Sequence, residues 1–228
     1  MKYSFVFLMF MIIFSLTAQE HQGMQPMVLV TGEGIVKVVP DQVLIKSRIE
    51  NEGSNAQEVK KQNDAVVDRI IKYLKAEGIP EKNIQTDYIN LNKNYNYEDK
   101  TYSYVANQSI SIQLDNLKNY EKIMSGLLQA GLNRVDGIQF KSSQMDGHIK
   151  EARRLAVLNA KMKAEEYAAP LGQSIGKAVS INEIESAHYP ILQRQEMMKA
   201  GYDTGEQETI APGEMEVRTK VTIVFRLN

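Results

Sequence analysis

The stretch "VTGEGIVKVVPDQVLIKSRIE" (Val30–Glu50) decides how the rest of the chain is read. Two glycines flank a glutamate just after an apolar run, which raises the question of a phosphate-binding loop. Such a loop needs a strand, a glycine-rich turn and then a helix whose N-terminal N–H groups meet the phosphate. Here the residues after Gly34 keep a period of two. Val28, Val30, Gly32, Gly34, Val36 and Val38 share one face, no third glycine follows at the required spacing, and no Lys-Ser/Thr pair occurs. The pattern therefore predicts a strand. Glycine inside a strand marks a bulge or the close approach of another backbone. After Pro40-Asp41 the alternation resumes, with Val43, Ile45, Ser47 and Ile49 opposite Lys46, Arg48 and Glu50. Two alternating runs around Pro-Asp read as a hairpin closed at that turn.

A candidate for the neighbour lies far downstream. In "EARRLAVLNAKMKAEEYAA" an alanine recurs every fourth residue, at Ala152, Ala156, Ala160, Ala164 and Ala168. Such a row forms a ridge along a helix, and an alanine ridge lets the helix approach closely. The expectation is that it packs on a sheet face thinned at Gly32 and Gly34. The alternative is that alanine only supplies helix propensity.

The remaining pattern completes the architecture. Ser54 and Gln57 have the spacing of a capping box and precede a helix bearing Val59, Val66, Val67, Ile70 and Leu74, which stops at "EGIP". Strands follow over 84–97 and 102–114 around the turn "EDK", then a helix over 117–130, a strand through Ile138, and the alanine helix over 148–169. "KAVSINEIES" reads as a strand, 187–213 as an irregular loop or insertion, and "EVRTKVTIVFRL" as the closing strand. The order is ββαββαβαββ, with tight turns implying antiparallel sheets and three main helices: the α+β class.

Composition bounds the function. The 228 residues carry a net charge of -1, without the basic surplus that nucleic acid or an anionic membrane would call for. "MKYSFVFLMFMIIFSLTAQE" joins Lys2 to an apolar run too short to span a bilayer, followed by small residues. It reads as a signal peptide over 1–18 cleaved after Ala18, with a retained anchor as the alternative. Residues 19–26 then form a flexible mature N-terminus and 27–228 the domain. Export to the periplasm follows; outer-membrane association and secretion stay open, and no transmembrane span is expected after cleavage. Zero cysteines exclude disulfides and thiol chemistry.

No catalytic, cofactor or metal residues are expected. His21, His148 and His188 stand in no metal-ligand spacing, no G-x-S-x-G elbow occurs, and no carboxylate pair sits in an apolar setting. Tyrosine is the remaining oddity: Tyr88, Tyr95, Tyr97, Tyr102 and Tyr104 cluster around "EDK". Tyr95, Tyr97, Tyr102 and Tyr104 are candidates for an interaction surface at a hairpin tip, or for cross-strand pairs that stabilise a long hairpin.

"GEGIVKVVPDQVLI", "AEGIPEKNIQT", "GLNRVDGIQF", the alanine helix and "IAPGEMEVRTKVTIVFRL" together resemble the SIMPL-domain family (domain of unknown function 541), whose bacterial members include periplasmic immunogenic and oxidative-stress-defence proteins. The sequence departs from the pattern at Pro170, where the family helix runs on, and in the Met/Gln-rich 187–213 segment. The resemblance implies an exported, non-enzymatic α+β module of the cell envelope, linked to oxidative or envelope stress. It further implies a chain that assembles with itself or with an unknown envelope partner, and it carries over no functional residue. The alternatives are an envelope hydrolase with 187–213 as lid, or a carbohydrate- or peptide-binding module using the tyrosine hairpin. Met197 and Met198 are candidate oxidant sinks.

Overall fold

The computed structural model describes residues 25–184, 191–193 and 210–228. The expected signal segment, His21, His188, Met197, Met198 and most of 187–213 lie outside them.

The elements run β1 (Met27–Val38), β2 (Gln42–Gly53), α1 (Ala56–Ala76), β3 (Ile84–Asn96), β4 (Thr101–Leu114), α2 (Tyr120–Ala130), β5 (Arg134–Lys141), α3 (Met145–Ala168), β6 (Ile175–Ile184), β7 (Ile191–Gln193) and β8 (Glu214–Leu227). Both sheets are antiparallel, so the α+β class holds, and among the described residues the short β7 is the one strand beyond the expected order.

β1 and β2 do not form the expected hairpin. β1 pairs with β8 from Met27↔Arg226 to Val38↔Met215, whereas β2 pairs with β4 and β5 in the other sheet. Pro40-Asp41 is therefore a crossover between sheets. Local alternation specifies which residues face a core but not which strand lies alongside. β1 finds its partner at the far end of the chain.

The first sheet has the order β1-β8-β6, with β7 also on β8, and carries α3 on one face. The alanine row is the face of α3 that meets it: Ala152, Ala156, Ala160 and Ala164 are wholly buried, and Ala168 nearly so. Gly32 and Gly34 lie directly beneath. A Cβ on Gly32 would overlap the Ala156 carbonyl oxygen and stand 2.7 Å from the Ala160 Cβ, and one on Gly34 would overlap the Ala152 carbonyl oxygen. The helix thus rests on strand backbone. Val30, Val221, Ile223 and Phe225 complete the core on one side of the contact, and Val38, Met215 and Val217 on the other.

The same helix reaches the outer edge of β1. The Glu33 N–H donates to Asn159 Oδ1 at 3.1 Å, and Lys163 Nζ donates to the Thr31 carbonyl at 2.9 Å. Two backbone groups of an edge strand, which would otherwise invite another strand, are occupied by α3 side chains.

Residues 42–141 build the second sheet, β3-β4-β2-β5, and both helices that cover it. Its core joins Val43, Ile45, Ile49, Ile110, Ile112 and Leu114 from the strands to Val66, Val67, Ile70 and Leu74 of α1 and Ile123 and Leu127 of α2. α1 starts one residue later than the capping-box spacing suggests. Asn55 is the N-cap, its Oδ1 accepting from the N–H groups of Gln57 and Glu58 at 3.0 and 3.1 Å. An Asn side chain at that position satisfies two otherwise orphaned donors. Asn63, fully buried on α1, donates through Nδ2 to the Ile49 carbonyl and to Asn51 Oδ1 at 3.0 and 3.1 Å.

The chain enters and leaves this unit at one neck. The Asp41 N–H donates to the Lys141 carbonyl at 3.1 Å, and the Asp41 carboxylate accepts from both the amide and the hydroxyl of Ser143. Those two donors hold its pKa below the ordinary carboxylate value.

Candidate functional site

The β3–β4 hairpin outgrows its neighbour. β2 ends at Gly53, opposite Tyr104, while β3 and β4 go on pairing to Asn96↔Thr101. The last part is a two-stranded tip. Lys93 faces Tyr104 and Tyr95 faces Tyr102 across the strands, which puts these four side chains on one face. The Tyr95 and Tyr102 rings lie 4.9 Å apart, and Tyr97 meets Tyr95 edge-on at 5.0 Å. Lys93 Nζ sits 3.8 Å above the Tyr102 ring centroid and 5.9 Å from that of Tyr104. The geometry supplies both cross-strand aromatic pairing and a cation–π contact, and it still leaves ring surface to solvent. Tyr97 is 85% exposed, Tyr102 55% and Tyr95 39%, while Tyr104 is half-buried.

Tyr88 is not part of that cluster. The register of β3 slips between Thr86 and Ile89, where three steps on β3 match two on β4. This bulge takes Asp87 and Tyr88 out of the ladder, and the Asp87 carbonyl accepts instead from Gln108 Nε2 at 3.2 Å. Beside it, on the sheet face away from α1 and α2, lies a cleft of about 190 Å³ lined by Arg48, Asp87, Tyr88, Asn90, Asn107 and Ser109. The Arg48 guanidinium is held from behind by the Asp136 carboxylate at 3.2–3.3 Å. Asn107 Oδ1 is buried and has no hydrogen-bond partner. The sequence does carry a signal for the bulge. The apolar positions of β3 move from an even number (Ile84) to odd ones (Ile89, Leu91), the phase slip that one extra residue produces.

The other candidate residues are structural in their contacts. Gly32, Gly34 and the alanine row form the helix–strand seat, and Pro40 and Asp41 form the neck. Among the described residues, no cluster of three or more His, Asp or Glu is placed to hold a metal ion, and no helix is long and apolar enough to cross a membrane. Arg218 of β8 joins Glu216 and Glu33 on the first sheet at 2.5–3.2 Å, and the Glu216 carboxylate raises its pKa further.

Comparison with known proteins adds the family context. Residues 28–225 match SIMPL, described as a protein of unknown function (DUF541). The chain is 28% identical to the 26 kDa periplasmic immunogenic protein of Brucella melitensis, over 92% of this chain and 89% of that one. It is 25% identical to the uncharacterized protein YggE of Escherichia coli K12, over 89% and 83% respectively. YggE of Edwardsiella ictaluri is also 25% identical, over 89% and 87%.

Proposed function

We propose that this chain, which belongs to the SIMPL family of proteins of unknown function, is an exported envelope protein that works by self-association through the tyrosine tip, without catalysing a reaction. The observation that carries this reading is the tip itself: three ring-contacting tyrosines with large exposed fractions, held beyond the end of β2 where, among the described residues, no other strand backs them. Tyrosine suits such a contact because it buries a large rigid surface at low entropic cost and keeps a polar end. The exposed parts of the three rings amount to roughly 300–450 Å², about half of what one partner contributes to a standard interface. Flanking β3 and β4 surface therefore has to join the contact.

Export is supported by the basic-apolar-small pattern of residues 1–18 and by the name of the Brucella relative, a periplasmic immunogenic protein. In this reading the assembly protects the envelope, oxidative stress included, by binding or scaffolding. Sedimentation or light scattering of the mature chain tests the proposal, with Tyr95→Ala, Tyr97→Ala and the double variant beside the parent. The expected result is an assembly for the parent and a smaller species for the double variant, with unchanged thermal unfolding for Tyr97→Ala. A parent that stays monomeric, or a double variant of undiminished size, ends it.

A further inference from the structure

We infer that the cleft at the β3 bulge is a binding subsite for a neutral, hydroxyl-rich ring, the chemistry of a single pyranose unit. The inference is independent of whether the tyrosine tip self-associates.

Three observations converge on it. The first is the lining. Asn90 and Asn107 bring amides, Ser109 a hydroxyl, Asp87 a carboxylate and Arg48 a guanidinium to one small space. Sugar hydroxyls, each of which donates and accepts at once, complement that mixture. The second is charge. Arg48 and its neighbour Arg134 are matched by Asp136 and Glu50, and Asp87 adds a negative charge, so nothing in the cleft favours an anionic guest. A phosphate or carboxylate site would show unmatched cations or converging backbone N–H groups. The third is the aromatic wall. The bulge turns Tyr88 out of the ladder, 84% exposed and bordering the cleft, where its ring can offer an apolar face to the C–H face of a pyranose.

Size agrees. About 190 Å³ accommodates roughly six waters at ~30 Å³ each, the room of one monosaccharide and less than a drug-sized ligand requires. A longer glycan would run on along the open edge of β3 with one residue seated here.

Saturation-transfer NMR on the mature full-length chain, which tolerates a large assembly, tests the inference with glucose, galactose and N-acetylglucosamine. Sodium phosphate and trialanine are the competing probes. At least one sugar is expected to bind saturably in the millimolar range. Tyr88→Ala should weaken it about fivefold or more, through loss of the stacking face. Ser109→Ala should weaken it about threefold or more, through loss of a lining hydroxyl. The inference falls if none of the three sugars saturates by roughly 50 mM, a weak limit for so small a ligand. It also falls if phosphate or trialanine displaces the sugar at lower concentration, or if both variants bind as the parent does.

Discussion

Gly32→Ala probes the contact on which the first sheet depends. The added Cβ would overlap the Ala156 carbonyl oxygen, 2.5 Å from the Ala160 nitrogen and 2.7 Å from the Ala160 Cβ. A relaxed C···O contact begins near ~3.4 Å, so α3 has to retreat by about 1 Å or more along this seat. Overpacking of a core costs about 1–3 kcal/mol. The retreat also stretches the Glu33–Asn159 hydrogen bond, a further loss of about 0.5–1.5 kcal/mol. The expected total is about 1.5–4.5 kcal/mol, read in urea as a midpoint lowered by roughly 0.8–2.2 M for an m-value near ~2 kcal/mol/M. Gly137→Ala is the control, because no atom lies within 4 Å of its added Cβ, and it should change stability by less than about 1 kcal/mol. Ala156→Gly should not rescue Gly32→Ala, since the obstacle is a peptide oxygen and not the alanine side chain. If Gly32→Ala unfolds within about 1 kcal/mol of the parent, the seat is looser than described, and the alanine row serves only helix propensity.

The neck predicts a pH effect. Ser143 holds the Asp41 pKa below its ordinary 3.8, so the folded state binds the proton less readily than the unfolded chain. The stabilisation is complete above the ordinary value and drains away as pH falls through the lower folded one. Hydrogen exchange at the Ser143 amide should accelerate below that point in the parent, and an Asp41→Asn variant should show no such step. Asn63→Ala leaves the Ile49 carbonyl and Asn51 without their donor and should cost about 1–3 kcal/mol in urea unfolding; a loss below about 0.5 kcal/mol would contradict the burial. Asn159→Ala combined with Lys163→Ala bares the Thr31 and Glu33 backbone, and light scattering should report slow, continuing growth beyond the size at which the parent settles. A variant as stable in solution as the parent would mean the edge needs no cover.

What the sequence discloses depends on whether a feature is local. The alanine spacing marks the buried face of α3, because a ridge of four-residue period is a property of one helix. The glycines at 32 and 34 mark the strand that receives it, because only a missing Cβ permits the approach. Partnership is different. Nothing within 27–50 says that β1 lies beside β8 and β2 beside β4, so the Pro40-Asp41 corner looks like a hairpin until the far strand is placed. The cap shows the same limit at short range: Ser54 has the capping-box spacing, yet Asn55 takes the role because its side chain reaches two amides. The tyrosine cluster is legible as composition, and the ring geometry follows once Tyr95 is seen opposite Tyr102. The cleft is the least legible feature. It requires three strands in register and one bulge, of which the sequence displays only the phase slip at Asp87-Tyr88.

The pairing of β1 with β8 also fixes how the molecule answers tension. Met27 lies opposite Arg226, and the Leu227 N–H donates to the Pro26 carbonyl at 2.9 Å, so the two ends of the sheet strands leave from the same side. A pull between them loads the ladder at its terminal rung and opens it pair by pair, instead of shearing every rung together. The 42–141 unit hangs off this path behind the Asp41–Ser143 neck and feels no force until β1 has been stripped to Val38. A tether at each end would therefore meet a zipper, with the tyrosine tip and the sugar cleft kept intact behind it.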